Sequence, residues 1–259
     1  MKERISRNEI PIRIMHKFFV NYTDIEGCKI HIYEDAGHIS RVLRLQTGDK
    51  ILVFDGNGME YDCILDTVGK AECVAAIIEK RPCRGEPKVK VILFQAVPKS
   101  GKMELIIQKC VELGISEIYP VITKYTVVKF ANEKDKSAKT ERWQKVATEA
   151  AKQCGRGIVP TVHLPIEFNK AIETAKNLDL TIMPYEIFSG KKDLQNALSN
   201  NNWGNIGIFI GSEGGFDEAE AEFAESNGVK LVGLGERILR TETAAIAVTT
   251  IVMYENNEM

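Results

Sequence analysis

The sequence predicts an α/β protein in two parts: a small, mostly β, barrel-like N-terminal module and a larger domain on a mostly parallel sheet. Three observations predict it. A strand-turn-strand signature lies within the first 80 residues, strands and helices alternate from residue 89 onward, and RPCRGEPK (81–88) between them has the two prolines, glycine and charges of a linker. A chain of 259 residues is long enough for two such domains. The expected boundaries are 1–80 for the β module, 81–88 for the linker and 89–259 for the α/β domain.

In TGDKILVFDGNGMEYDCILD (47–66) an apolar strand enters an Asp-Gly-Asn-Gly turn and leaves as a strand whose Met59, Tyr61, Cys63 and Leu65 share one face. AECVAAIIEK (71–80) continues as another strand, and Phe18 and Phe19 are expected in the core of this module. Beyond the linker the strand candidates are VKVILFQAV (89–97), EIYPVIT (117–123), LTIMPYE (180–186), NIGIFIG (205–211) and VKLVGLG (229–235). Between and after them lie helical stretches. KMELIIQKCVEL (102–113) carries Met103, Ile106, Ile107, Cys110 and Leu113 at helical spacing; SAKTERWQKVATEAAKQC, DEAEAEFAESNG and ETAAIAVTTIVMYE follow, the last with Thr241 as its expected cap. This alternation implies a parallel sheet, and ligands of such sheets bind off the carboxyl ends of the strands. GSEGG and LGERILRTETA sit at two of those ends.

Composition excludes several classes. Hydrophobic residues make up 44% of the chain, yet runs such as VAAII are far too short to span a bilayer. The N-terminus lacks the apolar region and cleavage site of a secretory signal, so a cytoplasmic protein without membrane association is expected. The six cysteines lie at least ten apart and the four histidines are scattered, which supports neither a disulfide framework nor a metal site. The net charge of -2 hides an asymmetry: residues 81–157 carry 16 Lys and Arg against 8 Asp and Glu, whereas residues 158–259 carry 7 against 15. A basic block of this kind fits either a nucleic-acid footprint or a solvated lysine-rich helix.

GSEGGFDEAE (211–220) matches neither the dinucleotide fingerprint nor the P-loop. It reads either as a tight turn before an acidic helix start, or as bare backbone offered to a ligand. Glu213, Asp217, Glu218, Glu220 and Glu222 crowd the place and would repel a phosphate. In LGERILRTETA, Arg237 and Arg240 are three apart and share a face if the segment is helical. Two glycine turns at neighbouring strand ends, one bringing carboxylates and the other arginines, predict a cleft of both charge signs, suited to a cation such as a sulfonium.

GSEGGF followed by LGERILRTETAA resembles the signature of the SPOUT-class methyltransferases, and of the RsmE family among them, which methylates N3 of a uridine in 16S ribosomal RNA. The resemblance extends over HKFFV, HISRVLRLQTGDKILVFDGNG, KMELIIQKCVELGISEIYPVIT and WQKVATEAAKQCGR, almost the whole chain. It implies a PUA-like RNA-binding β module and an α/β domain that binds S-adenosylmethionine in trefoil-knotted loops, dimerises and needs no metal. The substrate implied is 16S ribosomal RNA of the small ribosomal subunit. The cofactor loops it implies are Met183, Pro184, Tyr185 and Glu186; Gly211, Ser212, Glu213, Gly214 and Gly215; and Leu234, Gly235, Ile238 and Leu239. The family more often has proline at Ser212, and it begins near Met15 and His16, so residues 1–14 read as an extension.

Uracil N3 must lose its proton before it attacks a methyl group, and the charge then spreads to the ring oxygens. The resemblance therefore makes Arg240, with Arg237 second, the expected anion stabiliser, and Glu242 the expected proton acceptor or orienter. Candidate RNA contacts are Arg41 and Arg44, spaced along one turn, Lys99 and Lys102 just past a strand end, and Arg156. Two other classes stay open on the residues alone: a nucleotide-binding α/β enzyme, and a noncatalytic RNA-binding or ribosome-assembly factor.

Overall fold

The computed structural model describes residues 15–186, 193–199 and 203–259, so the expected extension at 1–14 lies outside the described residues. Two packing units result: residues up to Glu86 together with Lys152–Ile158, and Pro87–Ala151 together with Val159–Met259.

The first unit is a six-stranded sheet of β1 (His16–Phe19), β2 (Ile25–Glu26), β3 (Lys29–Ile32), β4 (Lys50–Phe54), β5 (Met59–Val68) and β6 (Cys73–Pro82), in the order β1-β4-β5-β6-β3-β2. All its pairings are antiparallel except β1 with β4. The Asp-Gly-Asn-Gly turn joins β4 to β5 because Asp55 Oδ1 accepts the N–H groups of Asn57 (2.8 Å) and Met59 (3.1 Å). Gly56 and Gly58 supply the positive φ values, 73° and 92°. Tyr61, Cys63 and Leu65 enter the core with Phe18, and Met59 packs at its edge, as alternation predicts. Phe19 stacks on Phe54 at 5.3 Å in a smaller cluster with Leu52 and Cys83.

The segment expected to be a linker is partly structural. Arg81 lies inside β6, and its guanidinium bonds Glu60 and Asp62, each at 2.6 Å. Cys83 is buried, and the boundary falls after Glu86.

The second unit is built on a parallel sheet of seven strands. They are joined in chain order as β7 (Lys90–Ala96), α1 (Lys102–Glu112), β8 (Glu117–Ile122), α2 (Glu133–Cys154, whose residues from Lys152 group with the first unit), β9 (Thr161–Val162), β10 (Ile166–Glu167), α3 (Phe168–Ala175) and β11 (Leu180–Pro184). Then follow α4 (Asp193–Leu198), β12 (Asn205–Ile210), α5 (Glu218–Ser226), β13 (Lys230–Val232) and α6 (Thr241–Glu255). The sheet order is β10-β8-β7-β12-β11-β13, with β9 also on β8.

Central strands are apolar on both faces, as buried parallel strands must be; Val91, Leu93, Ile206 and Ile208 are fully buried. On one face the rings of Phe209, Phe94, Tyr119 and His163 stack across neighbouring strands at 4.4, 5.2 and 3.8 Å. Helix α1 buries Met103, Ile106, Ile107, Cys110 and Val111, a stripe at helical spacing. Each large side chain among them contributes about 1.5–3 kcal/mol by burial. No described helix is long and apolar enough to cross a membrane.

This topology gathers the site. The chain leaves β7 towards β8, returns to β11, then inserts β12 between β11 and β7, so the loops after β7, β11, β12 and β13 meet at one edge of carboxyl ends.

Candidate functional site

The turn after β12 closes tightly. Gly215 N–H donates to Ser212 O at 3.0 Å, and a Cβ on Gly211 would lie 2.9 Å from both the Cα and the carbonyl carbon of Gly215. Only glycine fits Gly211, and Gly215 has φ +70°. Two other segments anchor the turn. Thr241 Oγ1 donates to Gly211 O at 2.6 Å, and the fully buried Gln95 donates from Nε2 to Thr241 Oγ1 at 2.9 Å. Ser212 is buried, and its hydroxyl donates to Tyr125 O at 3.3 Å. A side-chain tether thus holds the turn where proline would have stiffened it.

Around this turn lies a cavity of about 580 Å³, the size of a small-molecule site. Its walls include Pro184, Tyr185 and Glu186 after β11, the whole turn from Gly211 to Gly215, and the segment Leu234 to Leu239 after β13. The three loops expected to act together therefore do meet. Gly235 has φ +97°, which lets that segment turn back over the cavity. A second cavity of about 290 Å³ shares Leu234, Gly235 and Leu239 but is otherwise walled mainly by α4 and the outer face of α6.

Several expectations change. Met183 does not line the cavity: it is fully buried in the core beside Phe94 and Phe209, because strand alternation turns it inward. The segment before α6 is irregular, so spacing does not place Arg237 and Arg240 on one helical face. Arg237 lines the cavity; Arg240 does not, and is the N-cap residue of α6. Both are exposed, and neither makes an ion pair among the described residues. Thr241 is the first helical residue rather than the cap.

The acidic crowd also resolves into separate roles. Asp217 caps α5 and forms a capping box with Glu220, while it accepts from Lys124 Nζ at 2.6 Å and from Tyr125 OH at 3.0 Å. Glu220 Oε1 accepts the Lys124 N–H at 2.8 Å. These carboxylates fasten the loop after β8 to the helix start. Of that expected cluster only Glu213 lines the cavity, whose other carboxylates are Glu186 and Glu236.

Lys102 Nζ lies 3.2 Å from Glu213 Oε1 and 3.2 Å from Glu242 Oε2. The backbone N–H of Lys99 donates to both oxygens of Glu213, at 3.2 and 3.4 Å. Burial works to raise the Glu213 carboxyl, but its own N–H, Lys102 and the Lys99 N–H outweigh it and hold the group below the usual range. The hydrogen bond to Glu213 raises Lys102, opposed by desolvation and reinforced by Glu242.

In the first unit Arg41 and Arg44 are exposed and make no ion pair among the described residues. They do not share one turn. The single π turn ends at Val42, and Arg44 follows it with φ 54°. Arg156, expected as an RNA contact, is instead buried. Its guanidinium bonds Glu86 at 2.8 and 3.3 Å within the first unit, and Ile158 N–H shares that carboxylate. Gly58 N–H bonds Gly157 O, which draws the 155–158 segment onto the hairpin turn.

Gln95 and Tyr125 were missed by the sequence reading. Gln95 had a signal, one amide inside the apolar run VILFQAV, since a polar group there needs partners. Tyr125 had none beyond its place after a strand end.

The RNA methyltransferase domain family matches residues 85–253, and the RNA methyltransferase PUA domain family matches residues 34–78. Ribosomal RNA small subunit methyltransferase E of Mesomycoplasma hyopneumoniae is 36% identical over 236 residues, covering 91% of this chain and 98% of that protein. The Bacillus subtilis protein of the same name is 35% identical, covering 86% and 88%. Among solved structures, ribosomal RNA small subunit methyltransferase E from Neisseria gonorrhoeae bound to S-adenosyl methionine superposes with a TM-score of 0.78 at 27% identity, covering 93% of this chain and 97% of that one.

Proposed function

The chain belongs to the RNA methyltransferase family that includes ribosomal RNA small subunit methyltransferase E, and on that premise we propose that it methylates N3 of a uridine in 16S ribosomal RNA with S-adenosylmethionine. The observation that carries the reading is the cavity of about 580 Å³ closed by three loops, one of them a glycine turn that no side chain could replace at Gly211. Bare backbone N–H groups and Glu213 suit a ligand with both anionic and cationic groups. S-adenosylmethionine held by these loops would supply the methyl group to an N3 that has already given its proton to a base, with S-adenosylhomocysteine as the product left behind.

The protein's part is positioning and charge. The turn fixes one reactant, and aligning the two reacting atoms accounts for much of the rate. Arg237, which lines the cavity, takes the role of stabilising the uracil anion, with Arg240, the N-cap residue of α6, in second place. Arg41 and Arg44 of the first unit, a match to the PUA domain family, contact RNA phosphates. We further read the three cofactor loops as trefoil-knotted, and the protein as a cytoplasmic homodimer. The apolar residues that α6 leaves exposed, Ile251 and Tyr254, support the pairing.

Calorimetry against S-adenosylmethionine, S-adenosylhomocysteine and ATP tests the cavity. Binding of the first two and not the third is expected. Mapping of 3-methyluridine in ribosomal RNA from cells lacking the protein tests the reaction: the modification disappears if the reading is right, and its persistence refutes it.

A further inference from the structure

Lys102 occupies an unusual place. It opens α1, yet its ammonium lies between two carboxylates from distant segments, Glu213 on the glycine turn and Glu242 in the first turn of α6, 3.2 Å from each. The backbone that delivers it is constrained as well. Ser100 (φ 49°) and Gly101 (φ 68°) both adopt left-handed conformations, which a serine takes only where its surroundings impose it. That bend aims the Lys99 N–H at the same Glu213 carboxylate. Lys102 is three-quarters covered, its side chain 26% exposed, so the contact is not a fully solvated surface pair.

We propose that Lys102 is a positioning residue of the methyl-transfer site: it is the common counter-ion that fixes Glu213 against the cofactor turn and Glu242 against the start of α6, and it does not grip RNA phosphate. This rests on reading the cavity as the S-adenosylmethionine site. Without the ammonium, two carboxylates would face each other with no charge between them. Like charges at that range drive one group to take up a proton or swing away. Glu213 would then keep only backbone donors, its own N–H and that of Lys99, and the turn would lose the side-chain link to α1. With Lys102 present the trio carries one net negative charge beside a sulfonium, enough to favour the cation without strongly opposing a uracil anion. A lysine is charged across the neutral range, and the contact with Glu213 raises this one further.

The test compares wild type, Lys102→Met, Lys102→Arg, Glu213→Gln and the double variant K102M/E213Q. Calorimetry reads S-adenosylmethionine affinity, and methyl transfer to small ribosomal subunits at two salt concentrations reads kcat and the RNA KM. Lys102→Met is expected to weaken cofactor binding about tenfold, the scale of one lost charge-assisted contact. Lys102→Arg should recover most of it. Glu213→Gln should cost far less in the K102M background than in wild type, the coupling expected of a direct pair. The RNA KM and its salt dependence should not change. Wild-type cofactor affinity in K102M, together with a raised RNA KM and a shallower salt slope, would overturn the proposal and make Lys102 a phosphate contact. Should K102M fail to fold, Lys102→Gln against Lys102→Arg carries the same comparison. If wild type itself binds no S-adenosylmethionine, the reading of the cavity fails, which is a different result.

Discussion

Thr241 donates its hydroxyl proton to the carbonyl of Gly211 at 2.6 Å, which ties the first turn of α6 to the first residue of the glycine turn. Gln95 of β7 donates to the same hydroxyl, so one threonine joins three segments. Thr241→Val keeps the shape and removes both bonds. A net loss of about 1–2 kcal/mol in stability is expected for such a buried pair. Cofactor affinity should fall about tenfold as the turn loosens. Thermal denaturation with calorimetry checks both, and an unaltered affinity would show that the turn holds itself.

Gly211→Ala is a sharper probe of the turn than a change at Gly214. An added Cβ at Gly211 meets backbone at 2.9 Å, whereas at Gly214 it meets only the Tyr125 side chain, at 3.1 Å. Backbone cannot step aside without opening the turn, but an exposed tyrosine can rotate. Gly211→Ala should abolish measurable S-adenosylmethionine binding, and Gly214→Ala should weaken it modestly. Equal effects in calorimetry would contradict this assignment of the close approach.

Arg237 and Arg240 can be separated kinetically. Arg237→Ala is expected to lower kcat by about a hundred- to a thousandfold, as loss of a preorganised donor does. Its cofactor affinity should stay near wild type. Arg240→Ala should cost less, because Arg240 does not line the cavity. The reverse order in single-turnover rates would return the leading role to Arg240.

Legibility in the sequence followed locality. Alternation placed Tyr61, Cys63 and Leu65 in one core, and helical spacing placed Met103 through Cys110 in another. Both are properties of a few adjacent residues. The glycine turn was legible for the same reason, since Gly211 and Gly215 answer to backbone geometry within five positions. What pairs with what was not legible. The sequence reading grouped Asp217 and Glu220 with Glu213, yet the first two cap a helix and hold Lys124. Arg156 looked like a free cation because Glu86, its partner, lies seventy residues away. Met183 sat in a loop motif but belongs to a strand whose pleat turns it inward.

Acid stability should depend on Glu117. Burial alone would raise its carboxyl, but Lys90 and His163, the latter at 2.8 Å, outweigh burial and depress it. A folded value below the unfolded one means that the group stabilises the protein above its unfolded value, about 4.3. That contribution is lost as pH falls through the folded value. Glu117→Gln should therefore lower the melting temperature at pH 7 and have little effect near pH 3. A difference between the two proteins that is constant with pH would mean that the ion pairs contribute nothing and only packing was disturbed.

The last prediction concerns how the RNA is held. N3 lies on the Watson–Crick edge, so the target uridine must be unpaired or flipped when it reaches the cavity. A short oligonucleotide offers an unpaired base but few phosphates, whereas a small ribosomal subunit offers both the base and a shaped backbone for the first unit. Cutting the chain at residue 80 is a poor test of that division, because β6 runs to Pro82 and Lys152–Ile158 pack with the first unit. Arg41→Ala and Arg44→Ala are cleaner, since both side chains are exposed and neither makes an ion pair among the described residues. Each should raise the KM for the subunit, and each lost phosphate contact should reduce the slope of log affinity against log salt by about one. S-adenosylmethionine binding should be untouched. Tritiated methyl transfer to subunits and to a short oligonucleotide at two salt concentrations reads all of this. Equal activity on the oligonucleotide, or an unaltered salt slope in both Arg41→Ala and Arg44→Ala, would show that the first unit does not hold the RNA through these arginines.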